Sequence, residues 1–177
     1  MLHAPLSPPK SFRSALLVIA ATGLLSVPAM AKPAQAIVGA PAASAAFRGE
    51  GVVRIRSNHS VAETVERVKA AVAAKGVRLF DAIDQAQLGA GANLAIRPST
   101  LVLFGNPPLG VQFLQSNPYA GLDWPVRMLV VEEADGSVWL AWSDFAFIER
   151  RYGIGDKAAQ FKMASEVAAA IAADAAR

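Results

Sequence analysis

Residues 101–143 read LVLFGNPPLGVQFLQSNPYAGLDWPVRMLVVEEADGSVWLAWS, and they carry most of the information about this protein's fold. An apolar strand ends in the turn Gly105-Asn106-Pro107-Pro108, whose composition is a strong turn signal. Two further apolar strands are joined at Asp135-Gly136, a dipeptide that suits a tight turn with positive φ. Strands linked by such turns indicate a small domain that contains an antiparallel sheet.

The flanking segments predict one helix on each side of this block. Ser60-x-x-Glu63 has the form of a capping box, and valines at 61, 65, 68 and 72 predict an amphipathic helix that ends at Lys75-Gly76. Residues 156–175 predict a closing helix. The other predicted elements are strands over 51–57, 77–83, 126–132 and 137–143, a turn or short helix over 84–92, and short helices over 109–115 and 145–152. A further strand is predicted within 94–104, a segment that Pro98 can interrupt.

This order of elements predicts a single α+β domain of the type β-α-β4-α. Two helices cannot cover both faces of a five-stranded sheet, so we expect a curved antiparallel sheet with both helices on one face. The other face is then solvated, lines a cavity or pairs with a second subunit.

The N-terminal residues are typical of a signal peptide. Lys10 and Arg13 precede the apolar run 15–25, and Ala29-Met30-Ala31 supplies the small residues that a signal peptidase recognises. We therefore predict a signal peptide over 1–31, a flexible Ala/Pro-rich linker over 32–48 and the domain over 49–177. The mature protein is expected to be periplasmic or secreted, with no membrane association after cleavage.

Composition excludes several classes of function. Of 17 basic residues, two lie in the predicted signal peptide, which leaves 15 against 14 acidic residues and a formal charge of +1. No basic stripe indicates a nucleic-acid partner. Cysteine is absent and His59 is the only histidine of the predicted mature chain, so a zinc site of cysteines or of three histidines is excluded. No metal site is predicted and the residues identify no cofactor; a required metal would be calcium or magnesium, held by oxygen ligands.

Several ordered motifs resemble those of domain-of-unknown-function family 302 (DUF302) over roughly the whole globular part. The matching pieces are Ser60-x-x-Glu63-Thr64, Lys75-Gly76, Ile83-Asp84, Leu94-x-Ile96-Arg97-Pro98, Phe104-Gly105-Asn106-Pro107, Leu122-Asp123-Trp124-Pro125 and Glu132-x-x-x-Gly136. The resemblance implies a fold similar to the TATA-box-binding-protein-like α+β class and a homodimer. It implies no activity, because the family has none established.

Two positions depart from the family pattern. Gln85 stands where family members commonly carry a histidine, directly after the Ile-Asp pair. A metal-binding or proton-transfer role of that histidine would be lost or changed here. Trp124 stands in for the aliphatic residue that is usual at its position.

Asp84, Arg97 and Asn106 form the first group of candidate binding residues, because all three lie at predicted strand ends or turns. One interpretation is an anion or carboxylate site with Arg97 as a bidentate clamp. The structural alternative pairs Arg97 with Asp84 and lets the Asn106 side chain bond to its own turn.

Trp124 belongs to the second group, the aromatic residues of the last third of the chain. They line a pocket for an apolar ligand, fill the core or form a dimer interface. Trp139 and Trp142 are expected on opposite faces of their strand. By the same argument Glu132 and Glu133 cannot act as a carboxylate pair, although one of them, on the core side, could hold an arginine. His59 is predicted to be exposed and inert.

The residues favour an exported protein that binds a small ligand or acts as an accessory protein without chemistry of its own, and the family resemblance implies that it is a homodimer. The ligand is expected against the open sheet face or at the dimer seam. The alternatives are an enzyme that uses Asp84, Arg97 and Asn106, and a structural or protein-interaction domain.

Overall fold

The structure, a computed structural model, describes residues 49–177. The predicted signal peptide (1–31) and linker (32–48) lie outside the described residues. In chain order the elements are β1 (Val52–Ser57), α1 (Val61–Ala74), β2 (Arg78–Asp84), α2 (Gln85–Gly91), β3 (Ser99–Gly105), α3 (Pro107–Ser116), a 3-10 helix (Pro118–Asp123), β4 (Val126–Glu132), β5 (Val138–Ser143), α4 (Phe145–Tyr152) and α5 (Ala158–Ala176).

The five strands form one antiparallel sheet in the order β1-β5-β4-β3-β2. Strands β2 to β5 follow one another as neighbours, and β1 returns to the outer edge of β5. The predicted α+β domain with a five-stranded antiparallel sheet is confirmed.

The two faces of the sheet differ because side chains alternate along each strand. Val102, Met128 and Leu140 point to one face and are fully buried. The opposite face carries Leu129 and Trp139, which are only half-buried. We call it the open face; its other half-buried apolar residues on the central strands are Leu101, Leu103, Val131 and Ala141.

Helices α1 and α5 both pack on the buried face, as predicted. The four valines of α1 are all buried, and the Ser60 hydroxyl accepts a hydrogen bond from the Glu63 N–H at 3.3 Å, as in a capping box. Helix α5 contacts α1, and its buried side carries small side chains such as Ala164, Ala168 and Ala172.

Strand β3 begins at Ser99, directly after Pro98 and inside the segment 94–104 that was predicted to contain it. Pro98 has no N–H to give to a sheet, and residues 91–98 are exposed. The region expected to be a loop before Trp124 contains the 3-10 helix.

The edge strand β2 is irregular. Arg78 and Leu79 pair in one register with β3, and the residues from Asp81 onward pair in another, so Phe80 is an extra residue in the ladder. Such a bulge bends the strand and leaves one residue unpaired.

Trp124 lies directly on the backbone of α3. A Cβ atom placed on Gly110 would be 1.8 Å from Cε2 of the Trp124 indole, and one placed on Gly105 would be 2.9 Å from its Cζ2. The ring therefore occupies space that any larger residue at these two positions would need. The turn Phe104-Gly105-Asn106-Pro107 and the segment Leu122-Asp123-Trp124-Pro125 are thus two halves of one packing arrangement. The Trp124–Pro125 peptide bond is cis.

Two phenylalanines extend this contact to the closing helix. Phe113 of α3 meets the Trp124 indole edge-on, with ring centroids 5.9 Å apart. Its other side stacks on Phe161 of α5 at 4.3 Å. The three rings connect the segment before β4 to α3 and α5.

Replacing Gly110 by alanine tests this packing. The new methyl group must displace the Trp124 ring, and we expect it to lower the free energy of unfolding by about 1–3 kcal/mol, the usual range for overpacking. Urea unfolding followed by circular dichroism measures the change.

Two controls isolate the cause. Gly91→Ala adds a methyl group to α2 where nothing lies within 4 Å, and should be neutral or slightly stabilising. In a Trp124→Leu background, Gly110→Ala should cost much less. An equal cost in both backgrounds would show that the indole is not the obstacle.

Candidate functional site

A cavity of about 100 Å³ opens beside Trp124, and we call it the Trp124 cavity. Phe104 and Val126 at the ends of two strands form its floor, and both are buried. Helix α5 forms the opposite wall with Ala164, Val167 and Ala168. Trp124 and Leu109 close the side towards α3. The lining is therefore mainly apolar.

Two exposed residues with polar head groups line this cavity, and their exposure indicates that they lie at its mouth. They are Lys75, at the C-terminus of α1, and Asn106, in the turn after β3. Met163, which is 54% exposed, also lines the cavity. Among residues 49–177, no acidic side chain lines it.

Asn106 holds the N-cap position of α3 without capping it through its side chain. An N-cap asparagine usually accepts a hydrogen bond from the second or third N–H of the helix. Pro108 supplies no N–H at the second position, and the N–H of Leu109 donates to the Asn106 carbonyl oxygen at 3.1 Å. Within residues 49–177 the exposed Asn106 amide has no hydrogen-bond partner.

Lys75 is held in place from the side of α5. Its Nζ lies 3.1 Å from Oδ2 of Asp174, and the guanidinium of Arg177 binds the other oxygen of the same carboxylate at 2.5 Å. The hydrogen bond from Lys75, and then that from Arg177, lowers the pKa of Asp174. Two cations share one carboxylate, so this corner of the molecule carries a net positive charge.

Asp84 and Arg97 lie at the other end of the sheet. Asp84 caps α2, because its Oδ1 accepts a hydrogen bond from the Gln87 N–H at 2.9 Å. It also borders a wide surface depression of about 510 Å³ between α1 and the β2–β3 pair. Arg97 is exposed in the loop before β3, and in the described part of the chain no ion pair or hydrogen bond of its side chain is formed, so the pair with Asp84 is not formed.

The four predicted binding residues fall into two separate groups. Asp84 is opposite Thr100 in the β2–β3 ladder, whereas Asn106 follows Gly105 at the far end of β3. Six residues of extended strand correspond to about 20 Å. Asn106 and Trp124 share the Trp124 cavity, and Asp84 and Arg97 do not reach it.

Gln85 has a structural role at the start of α2. Its Oε1 accepts a hydrogen bond from the Ser99 hydroxyl at 2.7 Å, which joins α2 to the first residue of β3. His59 is not exposed as expected: its ring contacts the Glu63 carboxylate and the Arg177 carbonyl oxygen, and 20% of its side chain is accessible.

Trp139 and Trp142 point to opposite faces, as predicted. Trp142 is buried under the helices. Trp139 lies on the open face, where the Arg54 guanidinium is 4.0 Å from its ring centroid. Arg54 also donates to Glu133 at 2.7 Å. Glu133 therefore holds an arginine, Arg54, but it does so beside the open face and not on the core side as expected. Glu133 follows Glu132, the last residue of β4.

Asp123 is a buried carboxylate that reasoning from the sequence missed. Only 4% of its side chain is accessible. It accepts hydrogen bonds from the Tyr152 hydroxyl at 2.6 Å, from Arg151 at 3.3 Å and from Arg127. Donation to Asp123 is the main reason why the pKa of Tyr152 is raised above 10.0. These three hydrogen bonds tie the 3-10 helix to β4 and α4.

The partners of Asp123 explain why it was missed. Arg151 and Tyr152 lie 28 and 29 residues further along the chain, so no local spacing indicates the cluster. The only signal was the Leu-Asp-Trp-Pro motif.

Among residues 49–177, no three His, Asp or Glu side chains lie close enough together to hold a metal ion.

Curated relatives of this chain include proteins named fluoride-specific ion channels. It is 39% identical over 105 residues to the fluoride-specific ion channel FluC 1 of Brucella suis biovar 1, and the match covers 59% of this chain and 41% of that protein. FluC 1 of Brucella abortus biovar 1 and FluC 2 of Brucella melitensis biotype 1 match with the same identity over 39% of their lengths. The chain thus spans about two-fifths of these relatives. No helix within residues 49–177 is both long and apolar enough to cross a membrane.

The fold is also that of a solved DUF302 protein. The crystal structure of an uncharacterized conserved protein DUF302 from Bacillus stearothermophilus superimposes with a TM-score of 0.65 at 15% identity, and the match covers 73% of this chain and all of that one. A family model described as Domain of unknown function DUF302 matches residues 53–173. The chain therefore belongs to the DUF302 family.

Proposed function

We propose that this protein is an exported, non-catalytic protein that binds a small ligand in the Trp124 cavity. The observation that carries the proposal is the cavity itself, which combines apolar walls with two polar side chains at its mouth. This composition is typical of small-molecule sites. The cavity lies on the helix-covered side of the sheet, whereas the sequence led us to expect a ligand at the open face or the dimer seam.

The alternative of an enzyme has less support. It needs Asp84 and Asn106 in one site, and the β2–β3 register separates them. Asp123, the most buried carboxylate near the cavity end of the sheet, is already bound by Arg127, Arg151 and Tyr152.

The proposal of export rests on the N-terminal residues. Cleavage after Ala31 gives a mature chain that begins at Lys32, and measurement of the intact mass of the exported protein checks this start.

Filling the cavity should abolish binding. Ala164 is buried against it, so the larger side chain of Ala164→Leu occupies the space of the ligand. Pentanol serves as the probe, titrated into ¹⁵N-labelled protein while the indole N–H signal of Trp124 is observed. We expect a dissociation constant of about 1 mM or tighter for the wild type, from the affinity that a few well-buried atoms provide.

Ala169→Leu is the matched control, because Ala169 lies on the exposed side of the same helix. It should bind pentanol as the wild type does. Equal binding by Ala164→Leu and the wild type, or no saturable shift at Trp124 in any of the proteins, would refute the proposal.

A homodimer formed through the open face is the second part of the proposal. The face presents a continuous set of half-buried apolar side chains on β3, β4 and β5, with Leu129 between Leu101 and Ala141. The family resemblance implies a homodimer, and a two-fold axis lets the same patch serve both subunits.

Leu129→Glu places a charge at the centre of this face and should convert the dimer into a monomer. Leu88→Glu is the control, since Leu88 is 64% exposed on α2, away from this face. Sedimentation equilibrium at micromolar concentration distinguishes the species. A monomeric wild type, or a Leu129→Glu protein that remains dimeric, would contradict the interface.

An accessory role beside a membrane ion channel is a second candidate function, favoured by the Brucella relatives. Most of a 105-residue match must lie in residues 49–177, because only 48 residues precede them. In those relatives a DUF302-like segment would then accompany the channel in a single polypeptide.

A domain exchange tests this role. In Brucella suis FluC 1, deletion of the matching segment should lower fluoride efflux from proteoliposomes, and insertion of residues 53–173 of this protein should restore it. An unrelated domain of the same length is the control. Unchanged efflux after the deletion would argue against an accessory role.

A further inference from the structure

We infer that the ligand of the Trp124 cavity is a short apolar monocarboxylate, with its chain inside the cavity and its carboxylate between Lys75 and Asn106. The inference rests on the proposed function, because it assumes that the cavity binds a small molecule. Size, charge and hydrogen bonding each contribute one step of the argument.

The size of the cavity limits the apolar part of the ligand. A cavity of about 150 Å³ lined by aliphatic and aromatic side chains holds a benzene molecule. The Trp124 cavity has about 100 Å³, so it accommodates a chain of about three to five carbon atoms. Its buried residues, Phe104, Val126 and Ala168, provide no partner for a polar group. A second charged group at the inner end of the ligand is therefore excluded.

The charge at the mouth selects the head group. Of the residues that the structure describes, Lys75 is the only charged one that lines the cavity. Its partner Asp174 also binds Arg177. One carboxylate is thus shared by two cations, so it does not fully neutralise the charge of Lys75. An ammonium group has three donors, and the bond to Asp174 uses one of them. A cationic head group would be repelled here.

Asn106 supplies the second donor. Its side-chain amide has no hydrogen-bond partner within the described residues, since Pro108 has no N–H to give to a cap and the Leu109 N–H donates to the backbone carbonyl oxygen of Asn106. It lies at the N-terminus of α3, where the helix dipole favours a negative charge. The partial negative charge at the C-terminus of α1, next to Lys75, is the opposing contribution. The full charge of the ammonium outweighs it, since a helix end carries about half a charge.

The rigid wall that Trp124 forms supports a specific position of the ligand's head group. Trp124 is fixed between Gly105 and Gly110, so the indole cannot retreat from the ligand towards α3. The adaptable part is Met163 at the mouth, whose unbranched thioether can cover ligands of slightly different shape. The floor of the cavity therefore limits the chain length of the ligand, and Lys75 and Asn106 select its head group.

Three ligands of equal chain length separate head-group recognition from filling of the cavity. Pentanoate, pentanamide and pentylamine are titrated at pH 7.5 into ¹⁵N-labelled full-length mature protein, and the Trp124 indole signal gives the affinities. We expect pentanoate to bind about tenfold more tightly than pentanamide, since hydrogen bonds to a charged group are the stronger ones, and pentylamine to bind most weakly.

Variants of Lys75 identify the source of the preference. Lys75→Gln should reduce the tenfold preference for pentanoate over pentanamide to about twofold or less. Lys75→Arg keeps the charge and should keep most of the preference. Lys69→Gln is the control: it removes a lysine of the same helix that pairs with Glu66 and does not line the cavity. Asn106→Ala should weaken pentanoate binding several-fold.

The outcomes separate this inference from the function on which it rests. Equal affinity for pentanoate and pentanamide, or a preference that survives in Lys75→Gln, overturns the carboxylate assignment and leaves the cavity as a binding site. Absence of binding by all three ligands and by pentanol overturns both. Circular dichroism of each variant shows whether it is folded. If Lys75→Gln does not fold, the affinities of Lys75→Arg for pentanoate and pentanamide still test the carboxylate assignment.

Discussion

Contact between the Trp124 indole and the bare backbone at Gly110 organises one end of this molecule. The ring lies where a side chain of α3 would otherwise be, and it is braced by Phe113 and, through Phe113, by Phe161 of the closing helix. Neither Gly105 nor Gly110, the two glycines against the indole, has a positive φ. The missing Cβ therefore matters at both positions, and backbone freedom does not. One consequence is a fixed wall for the adjacent cavity. Another is that the segment before β4 has a defined position, from which Asp123 reaches Arg127, Arg151 and Tyr152.

Local signals accounted for the regular elements. The Ser60 cap, the valine stripe of α1 and the Asp135-Gly136 turn act within a few residues, and the structure confirms each of them. The Glu63 carboxylate contacts His59 and not the Ser60 N–H, so only the serine half of the predicted capping box is formed. β4 was predicted with its observed bounds because it alternates cleanly between buried and accessible residues. For β3 only the segment 94–104 was predicted, and its start at Ser99 could not be located because Leu94 and Ile96 are apolar but exposed.

The candidate site depended on contacts between distant segments, which a single sequence does not reveal. Asn106 and Trp124 were singled out for separate reasons, one as a turn residue and the other as an aromatic departure from the family pattern. That they line one cavity follows from the position of α3 against α5. Lys75 was noted only as a helix end, and its proximity to Asp174 spans nearly 100 residues. Asp84 and Arg97 were expected near Asn106 because all three are polar residues at strand ends, but strands have two ends and the antiparallel register separates them.

The bulge at Phe80 bears on how copies of this protein can join through their sheets. An edge strand is a template for another strand, and a sheet with two regular edges can grow without limit. Here the β2 edge is interrupted between Leu79 and Asp81, whereas β1 is paired regularly to β5 along all six of its residues. Only one edge is thus suited to accept a partner strand. Two chains that join through β1 use up both regular edges, so such pairing ends at a closed pair and does not propagate into a fibre.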